Sequence, residues 1–269
     1  MKRTMDSIRR HYEVEKELAE RLRAFSREDR ALMYGTLYDE LFSRVPDHPR
    51  LKRRDGDEES ERSVRNQLSL LQPHLTGDVA FLEIAPGDCR LAFEVCGRVS
   101  RVVVADISDQ RAGHDVPPEN FELILYDGYN LEIEPGSIDL AYSYQFLEHL
   151  HPDDTGEHLD LIFRLLRPGG KYLFDTPHRL SGPHDVSRHF SDNPEGFHLR
   201  EWSYREIGEL LDRHGFSGWY PIRSRRVVAN RFLRWAHSTV ETAIDLLPRA
   251  WERLASKRLF NSVTVIASK

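Results

Sequence analysis

The sequence predicts an α/β protein, an open sheet flanked by helices with a helical extension ahead of it. Three observations carry this. Residues 79–91 read as a short apolar strand, a tight turn of small residues and a helix. Residues 101–106 form a second apolar strand that ends on an acid, Asp106, which completes one βαβ unit. Beyond them, apolar strand-length runs alternate with helical stretches, the order expected of a mostly parallel sheet.

The first turn is where a ligand is expected, because open α/β sheets bind ligands beyond the carboxyl ends of their strands. It runs Glu83, Ile84, Ala85, Pro86, Gly87, Asp88, Cys89, and Asp106 follows 19 residues after Gly87. Small residues let a ligand approach the backbone, and an acid at the position of Asp106 suits the two hydroxyls of a ribose. A dinucleotide site needs G-x-G-x-x-G, and here only Gly87 is a glycine. Glu83 would sit badly beside a pyrophosphate and suits a cationic ligand without phosphate, so a nicotinamide-dependent oxidoreductase is disfavoured.

This stretch resembles the first motif of the class I S-adenosylmethionine-dependent methyltransferases, roughly [D/E]-x-G-x-G-x-G, with Ala85 and Cys89 in two glycine positions. The resemblance implies a Rossmann-like, seven-stranded sheet with its last strand antiparallel, and S-adenosylmethionine as cofactor. It places Ala85, Pro86 and Gly87 in the cofactor turn. Glu83 faces the amino end or the ribose, and Asp106 with Ile107 faces the ribose hydroxyls. A third strand ends at Asp127 and Gly128, where the family uses an acid for the adenine amine; the residue-level alternative is a turn-forming Asp-Gly pair.

Residues 138–150 look like a further motif of that family, a strand followed by Ser143, Tyr144 and Gln145, then a helix entered at Phe146 with Glu148 and His149. The resemblance puts Ser143, Tyr144 and Gln145 along the methionine part of the cofactor. His149 is a candidate base, its ordinary pKa lying near neutrality, or else a structural residue. Residues 159–166 form a helix that Arg167, Pro168, Gly169 and Gly170 end, with glycine as C-terminal cap. The fifth strand, 172–177, follows. The resemblance covers residues 62–225, through four motifs in order.

Elsewhere composition sets the bounds. The chain has 269 residues, 39% hydrophobic and 30% charged, and a net charge of −6, which argues against a nucleic-acid partner. Its two cysteines, Cys89 and Cys96, form neither a disulfide framework nor a metal pattern. No apolar run reaches membrane-spanning length and no secretory signal is read, so a cytoplasmic location is expected. Residues 1–61 form the extension or lid: Tyr12, Leu18, Leu22 and Phe25 recur at helical spacing, and a second helix over 28–42 carries Leu32, Leu37, Leu41 and Phe42. Residues 50–61 are almost wholly charged and read as an exposed loop. The methyltransferase domain proper is expected over 62–269, opening with a helix over 62–75.

After the fifth strand a long polar loop carries His178, His184, Asp185, His189 and His198. A loop of this length inside a domain is usually functional. His178, His184 and His189 are candidate bases for an acceptor hydroxyl. The rival is a divalent ion held by Asp185 and a histidine, but no metal motif fits and none is assigned. A helix over 204–214 ends at Gly215, a sixth strand spans 219–224, and 262–267 is the last strand, paired antiparallel with it. Between them a helical insertion over about 227–260 sets Arg223, Arg225, Arg226, Arg231 and Arg234 beside Phe232, Leu233 and Trp235. It is read as packed on its own domain or on a second subunit in a homodimer, with peripheral membrane contact as the alternative. The expected activity is O-methylation (EC 2.1.1 type) of a hydroxylated small molecule or glycan. The second expectation is a catalytically silent methyltransferase fold used for binding.

Overall fold

A computed structural model describes residues 3–52, 58–111 and 116–269. The chain opens with helices α1 (Met5–Ala24) and α2 (Arg27–Arg44). Thr4 caps α1 by accepting from the Ser7 N–H, and Ser26 caps α2 by accepting from that of Asp29. Val14, Leu18 and Leu22 of α1 meet Met33, Leu37 and Leu41 of α2 in a core of their own, completed by Phe197 and Leu199. Leu32, expected on the apolar face, is 79% exposed; the inward stripe runs through Met33, Leu37 and Leu41 instead. A single turn α3 (Pro49–Lys52) follows, then α4 (Glu58–Leu71). Helix α4 starts inside the stretch expected to be a loop and runs across residue 61, with Glu58, Glu59 and Glu61 in its first turn, where acids favour the helix dipole. The rest of the expected loop, 53–57, lies outside the described residues.

The central unit is β1 (Ala80–Ile84), α5 (Arg90–Cys96), β2 (Arg101–Asp106), β3 (Phe121–Leu125), β4 (Ile138–Tyr144), α6 (Thr155–Leu165) and β5 (Leu166–Pro177). It is followed by α7 (Tyr204–Arg213), β6 (Gly218–Arg223), β7 (Arg226–Val227), α8 (Arg231–Asp245), α9 (Arg249–Leu259) and β8 (Ser262–Ser268). The strands form one sheet in the order β3-β2-β1-β4-β5-β8-β6-β7. The first five are parallel; β8 lies antiparallel between β5 and β6. Apolar layers cover both faces, one involving α6 and α7 and the other α4 and α5.

Three local expectations are corrected. The sheet has an eighth strand, β7, joined to β6 through Ser224 and Arg225, both at positive φ, the backbone a two-residue hairpin turn requires. Phe146 does not open an α-helix: one 3₁₀ turn, Leu147–His149, is followed by an irregular stretch, and α6 begins only at Thr155. Pro152 accounts for the break, since the residue before a proline is pushed out of helical geometry. Finally, α6 is not glycine-capped. Its C-cap is Leu166 in an extended conformation, and Arg167 to Gly170 already belong to β5.

Candidate active site

Strand order reverses between β1 and β4, and the loops after β1, β2 and β4 open there into a cleft. The β1 loop holds three consecutive left-handed positions at spacing two: Ala85 (φ 53°), Gly87 (φ 62°) and Cys89 (φ 61°). Ala85 and Cys89 thus adopt the backbone for which glycine is usually chosen, at a strain of order 1–3 kcal/mol each. Such outliers cluster at functional sites, and a fourth, Gln145 (φ 51°), stands on the opposite lip after β4. The Cys89 side chain is buried, and burial pushes its thiol up to about 12, so it is no nucleophile.

Glu83 and Asp106 close β1 and β2 side by side. Asp106 accepts from the backbone N–H groups of Gly87 (3.4 Å) and Ser108 (3.2 Å). Burial raises its pKa. Glu83 is buried, and its Oε2 has no hydrogen-bond partner among the described residues. Burial, then Asp88 and Asp106, push it up to about 8. A buried carboxylate without a donor is costly and calls for a cation. Pro86, Gly87, Ile107, Gly128, Tyr144 and Gln145 also reach the cleft.

Two of the expected cofactor residues have their side chains engaged within the protein. Asp127 lies past the end of β3, and its carboxylate accepts from Tyr129 N (2.8 Å), Asn130 N (2.6 Å) and Asn130 Nδ2 (2.6 Å). It is committed to its own turn, so Gly128 meets the cleft in its place. Ser143 points into the core, sharing a hydrogen bond of 2.7 Å with the Tyr172 hydroxyl. Successive strand side chains face opposite sides of a sheet.

The four candidate histidines separate. His178 is fully buried under α8, its Nε2 donating to Glu241 Oε1 (2.7 Å) and its Nδ1 accepting from the Leu180 N–H (3.2 Å). With both ring nitrogens committed it is not a base for an acceptor. His184 lines the cleft but donates from Nε2 to Ser181 Oγ (2.9 Å) and the His178 carbonyl. His189 is exposed at the rim, beside Arg188. His149 lies at the centre, where burial and then neighbouring His198 push its pKa down to about 3. Its Nδ1–H donates to the Phe197 carbonyl (2.9 Å), so the ring is neutral, with the Nε2 lone pair not hydrogen-bonded among the described residues. Asp185 is engaged by the N–H groups of Ser187 (2.9 Å) and Gly196 (3.0 Å).

Residues not assigned to the site from sequence complete it. Leu22, Tyr34, Leu37 and Tyr38 of α1 and α2 roof the cleft. Arg30 fastens this roof: its Nε donates to Asp154 Oδ2 (2.8 Å), its Nη2 bonds Asp154 Oδ1, and the Tyr129 hydroxyl donates to the same carboxylate (2.6 Å). Helical spacing carried this signal, because Arg30 falls on the stripe of Met33, Leu37 and Leu41 and so had to be buried. His198 stands beside His149, with ring centroids 5.2 Å apart. Burial alone would lower its pKa, but Glu201, Glu148 and Asp185 raise it to about 9.

With this geometry in view, the comparisons are specific. Residues 82–174 match the methyltransferase domain family. Over 86 residues the chain is 37% identical to the probable S-adenosylmethionine-dependent methyltransferase of Mycolicibacterium smegmatis, 32% of this chain and 31% of that protein. The chain carries a class I S-adenosylmethionine-dependent methyltransferase domain. The match spans about a third of the length of the curated relative.

Among solved structures, the methyltransferase domain shares its fold with the 1,6-didemethyltoxoflavin-N1-methyltransferase of Burkholderia thailandensis, which was solved with S-adenosylhomocysteine. The TM-score is 0.55 and the identity 20%, over 91% of each chain. It is likewise similar to a methyltransferase of Haloferax volcanii in complex with the Trm112 activator (TM-score 0.53, 15% identity, 78% of this chain and 90% of that one). The [4+2]-cyclase SpnF has the same fold (TM-score 0.53, 16% identity, 80% and 84%), and fold alone therefore does not fix the chemistry. The cofactor of the methyltransferase domain is S-adenosylmethionine. The buried, unpartnered carboxylate of Glu83 next to Asp106 fits a ligand that is cationic at one end and bears ribose hydroxyls at the other.

Proposed function

We propose that the chain is an S-adenosylmethionine-dependent O-methyltransferase acting on a hydroxylated small molecule or glycan by direct displacement. The observation that carries the reading is the pair Glu83 and Asp106 at adjacent strand ends, in a cleft whose other wall holds neutral His149. The cofactor supplies a methyl carbon that is already electrophilic on its sulfonium. What remains for the protein is alignment, which can supply roughly 7–11 kcal/mol. Asp106 holds the ribose, Glu83 the cationic end, and Tyr144 and Gln145 the side facing the acceptor. Helices α1 and α2 enclose the reacting atoms, and the acceptor's hydroxyl donates to His149 Nε2, which at a pKa of about 3 does not keep the proton but passes it to solvent at the cleft mouth as the methyl group transfers.

Calorimetry with S-adenosylmethionine, S-adenosylhomocysteine and NAD tests this. The first two bind and NAD does not. Asp106→Ala weakens both by about tenfold or more, since hydrogen bonds to a charged group contribute about 1.5–3 kcal/mol; unchanged affinity defeats the assignment. Glu83 adds a signature. Its pKa of about 8 in the free protein leaves it protonated at neutral pH, and a cation placed beside it favours the carboxylate. Binding below pH 8 therefore releases a proton, and affinity rises with pH up to that value. The binding heat then depends on the buffer's ionisation enthalpy, and Glu83→Gln removes that dependence.

For the helical insertion we propose contact with an anionic bilayer surface. Phe232 (69% exposed), Trp235 (63%) and Trp251 (64%) stand out into solvent with Leu246 and Leu254. Arg231, Arg249, Lys257 and Arg258 lie on the same two helices; of their acids Glu241 and Glu252 are buried, and Asp245 is paired with Arg179. No helix among the described residues is long and apolar enough to cross a membrane, so the contact is peripheral.

A further inference from the structure

We propose that Glu148, His149 and His198 form a binding site for a divalent transition-metal ion on the acceptor side of the cleft. A ring nitrogen of each histidine and a carboxylate oxygen of Glu148 lie within 4.8 Å of one another. The two histidines are already oriented as metal ligands usually are, with one ring nitrogen donating to a carbonyl or carboxylate. His149 Nδ1–H donates to the Phe197 carbonyl (2.9 Å), and His198 Nδ1–H to Glu201 Oε1 (2.8 Å). His149 therefore keeps its Nε2 lone pair for an ion, and His198 offers its Nε2 once an ion displaces the proton it carries. Glu201 is itself fixed by the His184 N–H (2.6 Å).

Glu148 supplies the independent observation. It is fully buried, and its Oε2 accepts from Thr176 Oγ1 (2.9 Å). Its Oε1 has no hydrogen-bond partner among the described residues. Leaving a buried carboxylate oxygen unpaired costs more than a typical hydrogen bond returns, and coordination satisfies it. Two imidazoles and one carboxylate on one side of an ion suit zinc, manganese, iron or cobalt rather than magnesium or calcium, which prefer all-oxygen sites. Both histidines line the cleft, where an acceptor would reach the ion.

A second cluster, His11, Glu15 and His48, has similar spacing but a different hydrogen-bond pattern. The Arg3 guanidinium donates to His11 Nδ1 (2.9 Å), which leaves the ring proton on Nε2, facing Glu15 Oε1 at 2.7 Å. Freeing the His11 Nε2 for an ion would place the ring proton on Nδ1, against the Arg3 guanidinium, whereas the Nδ1 protons of His149 and His198 already meet acceptors. The first cluster has a vacant acceptor. Resting on the O-methyltransferase reading, a bound ion occupies the His149 Nε2 lone pair and so replaces that nitrogen's role: it takes the acceptor's hydroxyl oxygen and lowers its pKa next to the methyl group, and the proton leaves to solvent in the cleft.

The full chain, stripped with a chelator, is titrated with Zn²⁺ alone and with Co²⁺ followed by visible absorption. One equivalent binds to the wild type. His198→Ala and Glu148→Gln each weaken binding about 100-fold or more while S-adenosylhomocysteine affinity is retained, which shows both variants folded. Three results overturn the site: no stoichiometric binding, wild-type binding in both variants, or binding lost in His48→Ala and kept in His198→Ala. Zn²⁺ binding without S-adenosylhomocysteine binding in the wild type keeps the ion site and strikes the methyltransferase reading. The reverse strikes only the site.

Discussion

The two additions to the sheet, the N-terminal pair α1–α2 and the hairpin α8–α9, are both amphipathic and rich in arginine, yet they use those properties in opposite directions. The N-terminal pair turns inward. It buries its apolar stripe in a core shared with Phe197 and Leu199 and sets charged groups inside: Arg30 on Asp154, and Glu15 between His11 and His48. The hairpin is fastened mainly by polar groups. Glu241 accepts from Tyr204 N (2.7 Å) and Arg205 N (3.1 Å) at the start of α7 and from His178, and Arg179 donates to Asp245 (2.6 Å). Its aromatic residues are left outside. A helix pair that spends its apolar face on its own domain forms part of the site. One that keeps that face exposed leaves it free for the bilayer contact proposed above.

Arg30→Ala breaks this contrast most severely. Asp154 is buried and would keep only the Tyr129 hydroxyl and its weaker contacts, and stranding a buried charge costs roughly 3–5 kcal/mol. Chemical denaturation should show that loss, and cofactor affinity should fall with it because α2 roofs the cleft. Arg179→Ala is the matching change at the hairpin. Its pair with Asp245 is partly open to water, and such pairs contribute about 0–1 kcal/mol. Equal losses in the two variants would mean that the two additions are held alike.

The next effect is on pH. Burial alone would raise the pKa of Glu15, but its bonds to His11 and His48 hold it at about 2, against an ordinary value of 4.5. A depressed carboxylate stabilises the fold above its unfolded pKa, and that contribution is lost as pH falls toward the folded one. Between those values the N-terminal pair should lose roughly 3 kcal/mol of anchoring. The unfolding free energy of wild type minus that of Glu15→Gln should therefore shrink as pH is lowered from 4.5 to 2. A difference independent of pH across that window would show that the pair is not held through this carboxylate.

The sequence made the inner strands legible because parallel strands covered on both faces are continuous apolar runs, and β1, β2 and β4 lie where their composition puts them. Glu83 and Asp106 were legible for the same reason, since an acid closing such a run has to lie at the sheet's carboxyl edge. What was not legible depends on partners far along the chain. His178 and His149 look alike in sequence, and Glu241, 63 residues beyond His178, helps to hold that ring away from the cleft. Ser143 and Tyr144 differ by one step of strand alternation, which decides core against cleft. Strand β7 was not legible because its turn is Ser224 and Arg225, not the Asn-Gly or Asp-Gly that usually announces such a hairpin.

The smallest effect on stability sharpens the comparison furthest. Phe232 and Trp235 touch each other, with ring centroids 5.8 Å apart, and project from α8, while Trp251 projects from α9. Replacing Trp235 and Trp251 together by alanine removes mostly exposed surface, so unfolding should shift by no more than about 0.5 kcal/mol per site. Flotation with vesicles containing phosphatidylserine should nonetheless lose most of its bound protein, because aromatic residues at the bilayer interface supply the apolar part of peripheral attachment. The same vesicles without anionic lipid should bind the wild type weakly, since basic residues contribute about 1 kcal/mol each only near a negative surface. Cofactor affinity should be untouched, as neither tryptophan lines the cleft. If vesicle binding survives the double substitution, the exposed face is not a membrane surface. If the wild type dimerises and the variant does not, its occupant is a second copy of the chain.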